Sequence, residues 1–339
     1  MLLFLYLFVG LEVWIVMKKL SLILLPFLMV GCKSTTPPDW YFSEETNNPS
    51  YIYAVGEGRS LSLAKKNAVG QINEQLWTQV DSSFTQHDQF REINNSSLSY
   101  QNVQNTVNAK SAQLTLTGTE YLKTDKNDIA YYVQARIKRD NVESQLKSEL
   151  AQINNDAKAS LIKLTHQDKL LWWLENSDLS GELSDYYVRK GILSSMESDA
   201  GSSNSHLFDL IKQSDKIKSE LLILIKPDSQ DKKSATFLSE KFSPLGISTT
   251  QRWSRAVSHV LVMDSEYRKS RVGDAFITTK ITNLSLKDTS GITISSYEII
   301  ATGNSVSNFN LSHEGAERHF SQQIDEMGVW SSLGIQQKQ

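Results

Sequence analysis

The chain has 339 residues, of which 40% are hydrophobic and 22% charged, with a formal net charge of −3. That length favours two domains over one core, and the mild acidity, with no Lys/Arg cluster interleaved with aromatics, excludes a nucleic-acid-binding class. A single cysteine, Cys32, excludes an internal disulfide and any zinc site built on two or more cysteines.

The first predicted element is a targeting segment. Met17-Lys18-Lys19 forms a short positive region, Leu20 to Val30 is apolar apart from Ser21 and Pro26, and Gly31-Cys32 follows. That is the layout of a secretory signal. In Leu28-Met29-Val30-Gly31-Cys32 small residues precede a cysteine, an arrangement similar to the bacterial lipobox. The thiol has to receive a diacylglyceryl group, and a small residue before it has to fit the peptidase. Met29 stands where leucine is usual. Lys18-Lys19 splits the apolar run into pieces too short to span a bilayer, which needs about 20 residues. Residues 1–31 are therefore read as signal, with Met17 as the true start, cleavage between Gly31 and Cys32, and lipidation of Cys32. Removing residues 1–31 takes away Glu12, Lys18 and Lys19 and makes the remainder one unit more negative. Lys33, rather than aspartate, after the cysteine favours the outer membrane.

Residues 32–38 read as a polar, proline-stiffened tether that lifts the body off the bilayer. Tyr51 to Gly56 is a β-rich run, and Gly56-x-Gly58 turns the chain towards a helix capped by Ser60. On that helix Leu61, Ala64, Ala68, Ile72, Leu76 and Val80 form an apolar stripe. Asp81 to Asn108 is polar and weakly patterned. Leu114 to Gly118 alternates like a strand. Asp125 to Asp128 makes a turn into a second strand, Ile129 to Ile137, with Tyr131, Val133, Ala135 and Ile137 on one face. A helix is predicted from Asn141 to Leu164, and Leu170 to Ile192 continues helical around Trp172-Trp173. Glu197 to Ser205 resembles a linker, followed by a helix from His206 to Lys218. Beyond it the reading is a strand at Leu221 to Ile225, a helix from Ser234 to Phe242 closed by Pro244 and Gly246, and a strand at Val260 to Met263. An alternating strand follows from Phe276 to Lys287, then a turn at Asp288 to Gly291, a strand at Ile292 to Ala301, and a helix from Ser312 to Met327.

The fold class is thus α+β: two two-layer α/β sandwich domains, at 39–150 and 206–335, joined by a helical connector at 151–205. Pro38-Asp39-Trp40, Tyr51 to Gly58, Ser60 with Ala64 and Ala68, Leu116-Thr117-Gly118 and Tyr131 to Ile137 together resemble the Lpp-twenty lipoprotein family over about residues 38–150. That resemblance implies an outer-membrane lipoprotein; the flagellar protein FlgP is one member. More loosely, the second domain resembles the N-terminal part of TolB, LpoB and the flagellar protein FlgT, which is fold-level analogy.

Little points to chemistry. Gly56-x-Gly58 lacks the third glycine of a dinucleotide site, Leu61 standing in its place. His87, His166, His206, His259, His313 and His319 are scattered, and His313 and His319 fall on different sides of their helix. No Gly-x-Ser-x-Gly elbow is present, and Ser180 and Ser184 read as solvated. Trp172-Trp173 with Leu170, Leu171 and Leu174 admits two readings, packing onto a domain or a patch facing a partner or membrane. The loop Gln86 to Asn108 reads as a surface loop or an assembly contact.

The sequence therefore predicts no catalytic residue, no metal, no cofactor and no enzyme. It predicts a structural or assembly lipoprotein of the outer membrane, facing the periplasm, held by lipid on Cys32, with self-association or envelope proteins as partners and a flagellar association as one form of that role. The alternative is a regulatory module for an envelope enzyme or transporter such as a peptidoglycan synthase.

Overall fold

The computed structural model describes residues 35–42, 48–83, 114–198 and 205–336. They form two compact units of α+β class. The described residues of one fall within 1–83 and 111–146, and those of the other within 147–336.

In the first unit, strand β1 (Tyr51–Gly58) leads into helix α1 (Leu61–Ser83), and strands β2 (Glu120–Lys126) and β3 (Tyr131–Lys138) form a hairpin. The sheet order is β1-β3-β2, all antiparallel, with Tyr51 opposite Lys138 and Gly58 opposite Tyr131. The alanine stripe explains how α1 sits. Ala64, Ala68, Ile72 and Leu76 are buried against Val133, Ala135 and Ile137, as the period predicts; Val80 lies outside the residues whose side chains are described. Ser60 caps the helix, its Oγ accepting from the Leu63 N–H at 3.2 Å. Gly56 is inside the strand and not in the turn. A Cβ there would collide with the Ala64 carbonyl and the Ala68 backbone, so the glycine is what lets the helix reach the sheet.

Leu114 to Gly118 is not a strand; β2 begins at Glu120, and Asp125 and Lys126 belong to it rather than to the turn. Leu114 and Leu116 are buried, which accounts for their alternation. Side chains hold the segment's backbone: Asn73 donates to the Leu114 carbonyl at 2.7 Å, and Gln145 donates to the Thr115 carbonyl and accepts from the Thr117 N–H.

Helix α2 (Arg139–Lys163) starts in the first unit and continues into the second. The predicted Leu170–Ile192 helix is two helices, α3 (Lys169–Glu175) and α4 (Ser180–Ser195), separated by Asn176, whose backbone N–H closes α3 on the Trp173 carbonyl. Helix α5 (His206–Glu220) precedes strand β4 (Leu222–Pro227), helix α6 (Lys232–Phe242), strand β5 (Ser248–Thr250) and the long strands β6 (His259–Val272), β7 (Ala275–Asp288) and β8 (Thr293–Ser305). Helices α7 (Phe309–Met327) and α8 (Val329–Ser332) end the unit.

The second sheet has the order β5-β4-β6-β7-β8. Strand β4 is parallel to β5 and β6, and β6, β7 and β8 form an antiparallel meander. Helices α6 and α7 lie on one face over Leu261, Met263, Leu284, Leu286, Ile299 and Ala301. Three expectations are corrected. β5 adds a strand; it is three residues long and carries no apolar alternation. β6 runs nine residues past Met263 through a polar stretch, because each of those residues pairs with β7. Ser312 is not a cap: Asn308 caps α7, its Oδ1 accepting from the Leu311 N–H, and Ser312 is buried one turn in, hydrogen-bonded to Thr278 at 2.7 Å.

Candidate functional site

The inward alternation of β7 brings Lys280 into the core, where it is 0% exposed beside Thr278 and Thr282. Its Nζ lies 2.8 Å from Glu317 Oε1 on α7, 2.9 Å from Asp231 Oδ1 just before α6, and 2.5 Å from Ser234 Oγ on α6. The ammonium thus uses its three protons on three partners. Tyr267 from β6 donates to Glu317 and lies 3.1 Å from Asp231, and Ser234 donates to the other Glu317 oxygen. The ammonium also sits 4.7 Å from the Phe320 ring centre and 5.3 Å from that of Tyr267, and His313 stacks on Tyr267 at 4.5 Å.

This cluster holds two carboxylates against one ammonium, and among the described residues Asp231 Oδ2 has no hydrogen-bond partner. Burial is the largest single influence on Glu317 and would raise its pKa. The hydrogen bonds from Lys280, Ser234 and Tyr267 outweigh it and hold the carboxyl below its ordinary range. Burial, with the Glu317 and Asp231 charges, pushes the Tyr267 phenol far up, so it stays a donor. Ser234 and Lys280 resemble a nucleophile and base, but the lysine Nζ is engaged by Asp231, Glu317 and Ser234 itself, and neither residue is reachable by a substrate.

A second constellation joins α3 to β6. His259, 2% exposed, places Nδ1 2.9 Å from Ser258 Oγ and Nε2 3.1 Å from Asp168 Oδ2. The order Ser-His-Asp is that of a triad, but the parts are committed elsewhere. Ser258 Oγ accepts from the Leu222 N–H and lies 3.1 Å from its carbonyl, and Asp168 caps α3 through the N–H groups of Leu170 and Leu171. For Asp168, burial alone would raise the pKa; the His259 hydrogen bond and charge, with those two N–H groups, win and lower it. The arrangement is a latch between helix and sheet.

The residues singled out in the sequence separate as follows. Trp172 and Trp173 are buried: Trp172 Nε1 donates to the Ser160 carbonyl at 2.6 Å, and Trp173 meets Trp330 edge-on at 6.3 Å. The packing reading holds for them. Leu171 and Leu174 instead line an open depression of about 390 Å³ with Glu175, Asp178 and Ile335. Ser184 is not solvated; it is buried and donates to the Ser180 carbonyl at 2.6 Å, because it lies on the inner face of α4. His313 and His319 face different partners, Tyr267 and Thr302. Gly31, Cys32, His87 and the loop Gln86 to Asn108 lie outside the described residues. Among the described residues, no three of His, Cys, Asp and Glu are grouped to hold a metal ion. The buried cluster was missed. Its available signal was a lysine in the inward register of β7, which calls for carboxylates on the facing helices.

Fold and site together define a class: a two-unit α+β protein whose charged clusters tie helices to sheets. The model of the LPP20 lipoprotein family matches residues 38–138, so over that segment the first unit is similar to LPP20 lipoproteins. The match covers the docked turn at residues 39–41, β1, α1 and the β2–β3 hairpin, and does not extend into the second unit. Among solved structures, the secreted protein HP1454 from Helicobacter pylori aligns over 83% of this chain and 98% of its own, with a TM-score of 0.43 and 12% identity. A minor lipoprotein from Acinetobacter baumannii aligns over 34% of this chain and 93% of its own, with a TM-score of 0.27 and 13% identity. PelC from Paraburkholderia phytofirmans, solved as a dodecamer, aligns over 31% and 86%, with a TM-score of 0.24 and 16% identity. No curated protein matched the chain.

Proposed function

We propose that this chain is an envelope lipoprotein, cleaved after Gly31 and acylated on Cys32, whose two units serve assembly and not catalysis. The carrying observation is one of position: the lipobox-like run Leu28 to Cys32 ends six residues before the LPP20 match begins at residue 38. Acyl chains contribute about 0.8 kcal/mol per buried CH2, and two or more give stable attachment. Lys33 supports the outer membrane, with the body facing the periplasm. The family match supports an assembly role, a flagellar one being its finest form. The commitment of Ser234, Lys280, Ser258, His259 and Asp168 to internal bonds supports a non-enzymatic reading.

Mass spectrometry of the amino terminus of the native protein tests the first part. Diacylglyceryl-cysteine is expected at Cys32, and Cys32→Ser should leave the protein soluble and unacylated; an unmodified terminus beginning before Cys32 overturns it. Crosslinking in intact cells, with Cys32→Ser as control, tests the second. Homo-oligomeric or envelope-machinery adducts are expected, and a monomer binding a single synthase or transporter would replace assembly by regulation.

A further inference from the structure

The described part of the tether, residues 35–38, lies against the first unit. The Thr36 carbonyl accepts a hydrogen bond from Asn127 Nδ2 at 3.0 Å, and the same amide group meets the Tyr132 hydroxyl at 3.1 Å. Tyr41, in the single helical turn Asp39–Tyr41, packs edge-on against Tyr132 at 5.0 Å. The tether is therefore fastened to the tip of the β2–β3 hairpin. At that same end large apolar side chains are exposed: Phe42 is 75% exposed and Ile129 57% exposed, with half-buried Trp40 edge-on to Tyr41 at 6.4 Å.

From Cys32 to Thr36 is four residue steps, which span at most about 14 Å even when extended. A thioether-linked glycerol at Cys32 would lie at the headgroup level, so the hairpin end cannot stand further than that from the bilayer interface. Aromatic and branched apolar side chains partition favourably there. Asp39, Asp125, Asp128 and Glu57 share this end with Lys126 and Arg59, a net negative charge, so any such contact would be carried by the apolar side chains.

We propose that Trp40, Phe42 and Ile129 form a membrane-resting patch, which seats the first unit hairpin-end down on the lipid headgroups beside its own anchor. The occupant of the patch is the bilayer surface, and the proposal rests on acylation of Cys32.

The acylated full chain carries no free thiol, so single cysteines introduced as Phe42→Cys, Ile129→Cys and Asp140→Cys can each bear one spin label. Asp140 is exposed at the opposite end of the sheet, beside Lys138. Each protein is reconstituted into vesicles of phosphatidylethanolamine and phosphatidylglycerol, checked for flotation, and probed by collision with oxygen and with a water-soluble nickel chelate. Labels at 42 and 129 should show several-fold less nickel contact and more oxygen contact than the label at 140. Equal nickel contact at all three sites in vesicles that still float with the protein overturns the patch and leaves the anchor standing. Failure to float overturns the anchor, and the patch with it. The Ile129→Cys protein retains Phe42, so loss of the aromatic cannot by itself produce a negative result.

Discussion

Lys280 shows how one residue organises a core. Its inward position follows from strand alternation, and a buried ammonium is tolerable only with close carboxylates. Removing it by Lys280→Met would leave Asp231 and Glu317 facing each other in a buried interior; a loss of about 3–5 kcal/mol is expected in urea unfolding. Asp231→Asn acts differently, since it keeps an oxygen for Lys280, removes the charge in excess and gives the pocket new donors. It should cost far less than Lys280→Met, and equal losses for the two variants would show that charge balance is not what the cluster enforces. Gly56→Val tests shape in place of charge. The new side chain would strike the Ala64 carbonyl, and a loss of about 1–3 kcal/mol is expected by the same measurement.

At the scale of elements, the Asp168–His259 latch decides how α3 attaches to β6. Asp168 in the folded state titrates below its ordinary 3.8, and Glu317 below its ordinary 4.5. A carboxyl with a depressed folded value stabilises the fold fully above its unfolded value and loses that contribution as pH falls through the folded one. Stability should therefore be flat near neutrality and decline below about pH 4 as both groups protonate, a trend readable from urea midpoints across an acid series. Asp168→Ala removes the cap of α3 and the partner of His259; it should lower stability by about 0.5–2 kcal/mol at neutral pH and flatten part of the acid dependence. An unchanged acid profile in Asp168→Ala would rule out the latch as a contributor.

Most elements were legible because their burial is periodic. The stripe from Ala64 to Leu76 and the alternation from Thr278 to Leu286 state their own faces. What escaped reading lacks such a pattern. The outer half of β6 is polar and is a strand only because β7 runs beside it. Leu114 and Leu116 alternate yet form no ladder, since Asn73 and Gln145 supply their segment's hydrogen bonds. Ser312 was read as a cap on residue type alone, although it shares an inward row with Ala316 and Phe320. The Lys280 cluster draws on β6, β7, α6 and α7, and no local window contains it.

At the scale of the whole molecule, each unit begins or ends with the same arrangement, a sheet-edge strand followed by a helix that packs on it. In the first unit Asn67 and Gln75 of α1 donate to the Glu57 and Tyr53 carbonyls of β1, at 2.6 and 3.0 Å. In the second, His319 Nδ1 of α7 accepts from the Thr302 N–H of β8 at 2.9 Å, and Gln323 donates to the Ile300 carbonyl at 3.1 Å. Gly303 against Ala316 repeats the close contact of Gly56 against Ala68. Replacing Asn67 and Gln75 by alanine should leave the fold intact but raise the rate of aggregation in concentrated solution, followed by light scattering; unchanged scattering would count against an edge-guarding role.

Under the proposed anchoring through Cys32, those partly answered strand borders would matter most, because the molecules would be confined to a sheet of lipid. Two-dimensional crowding multiplies encounters between neighbours, and each encounter would offer naked backbone a template for runaway stacking. By answering some backbone groups of β1 and β8 from within, each unit leaves fewer sites on those edges for indiscriminate strand exchange, and contacts between copies there are left more to side chains, which can be selective.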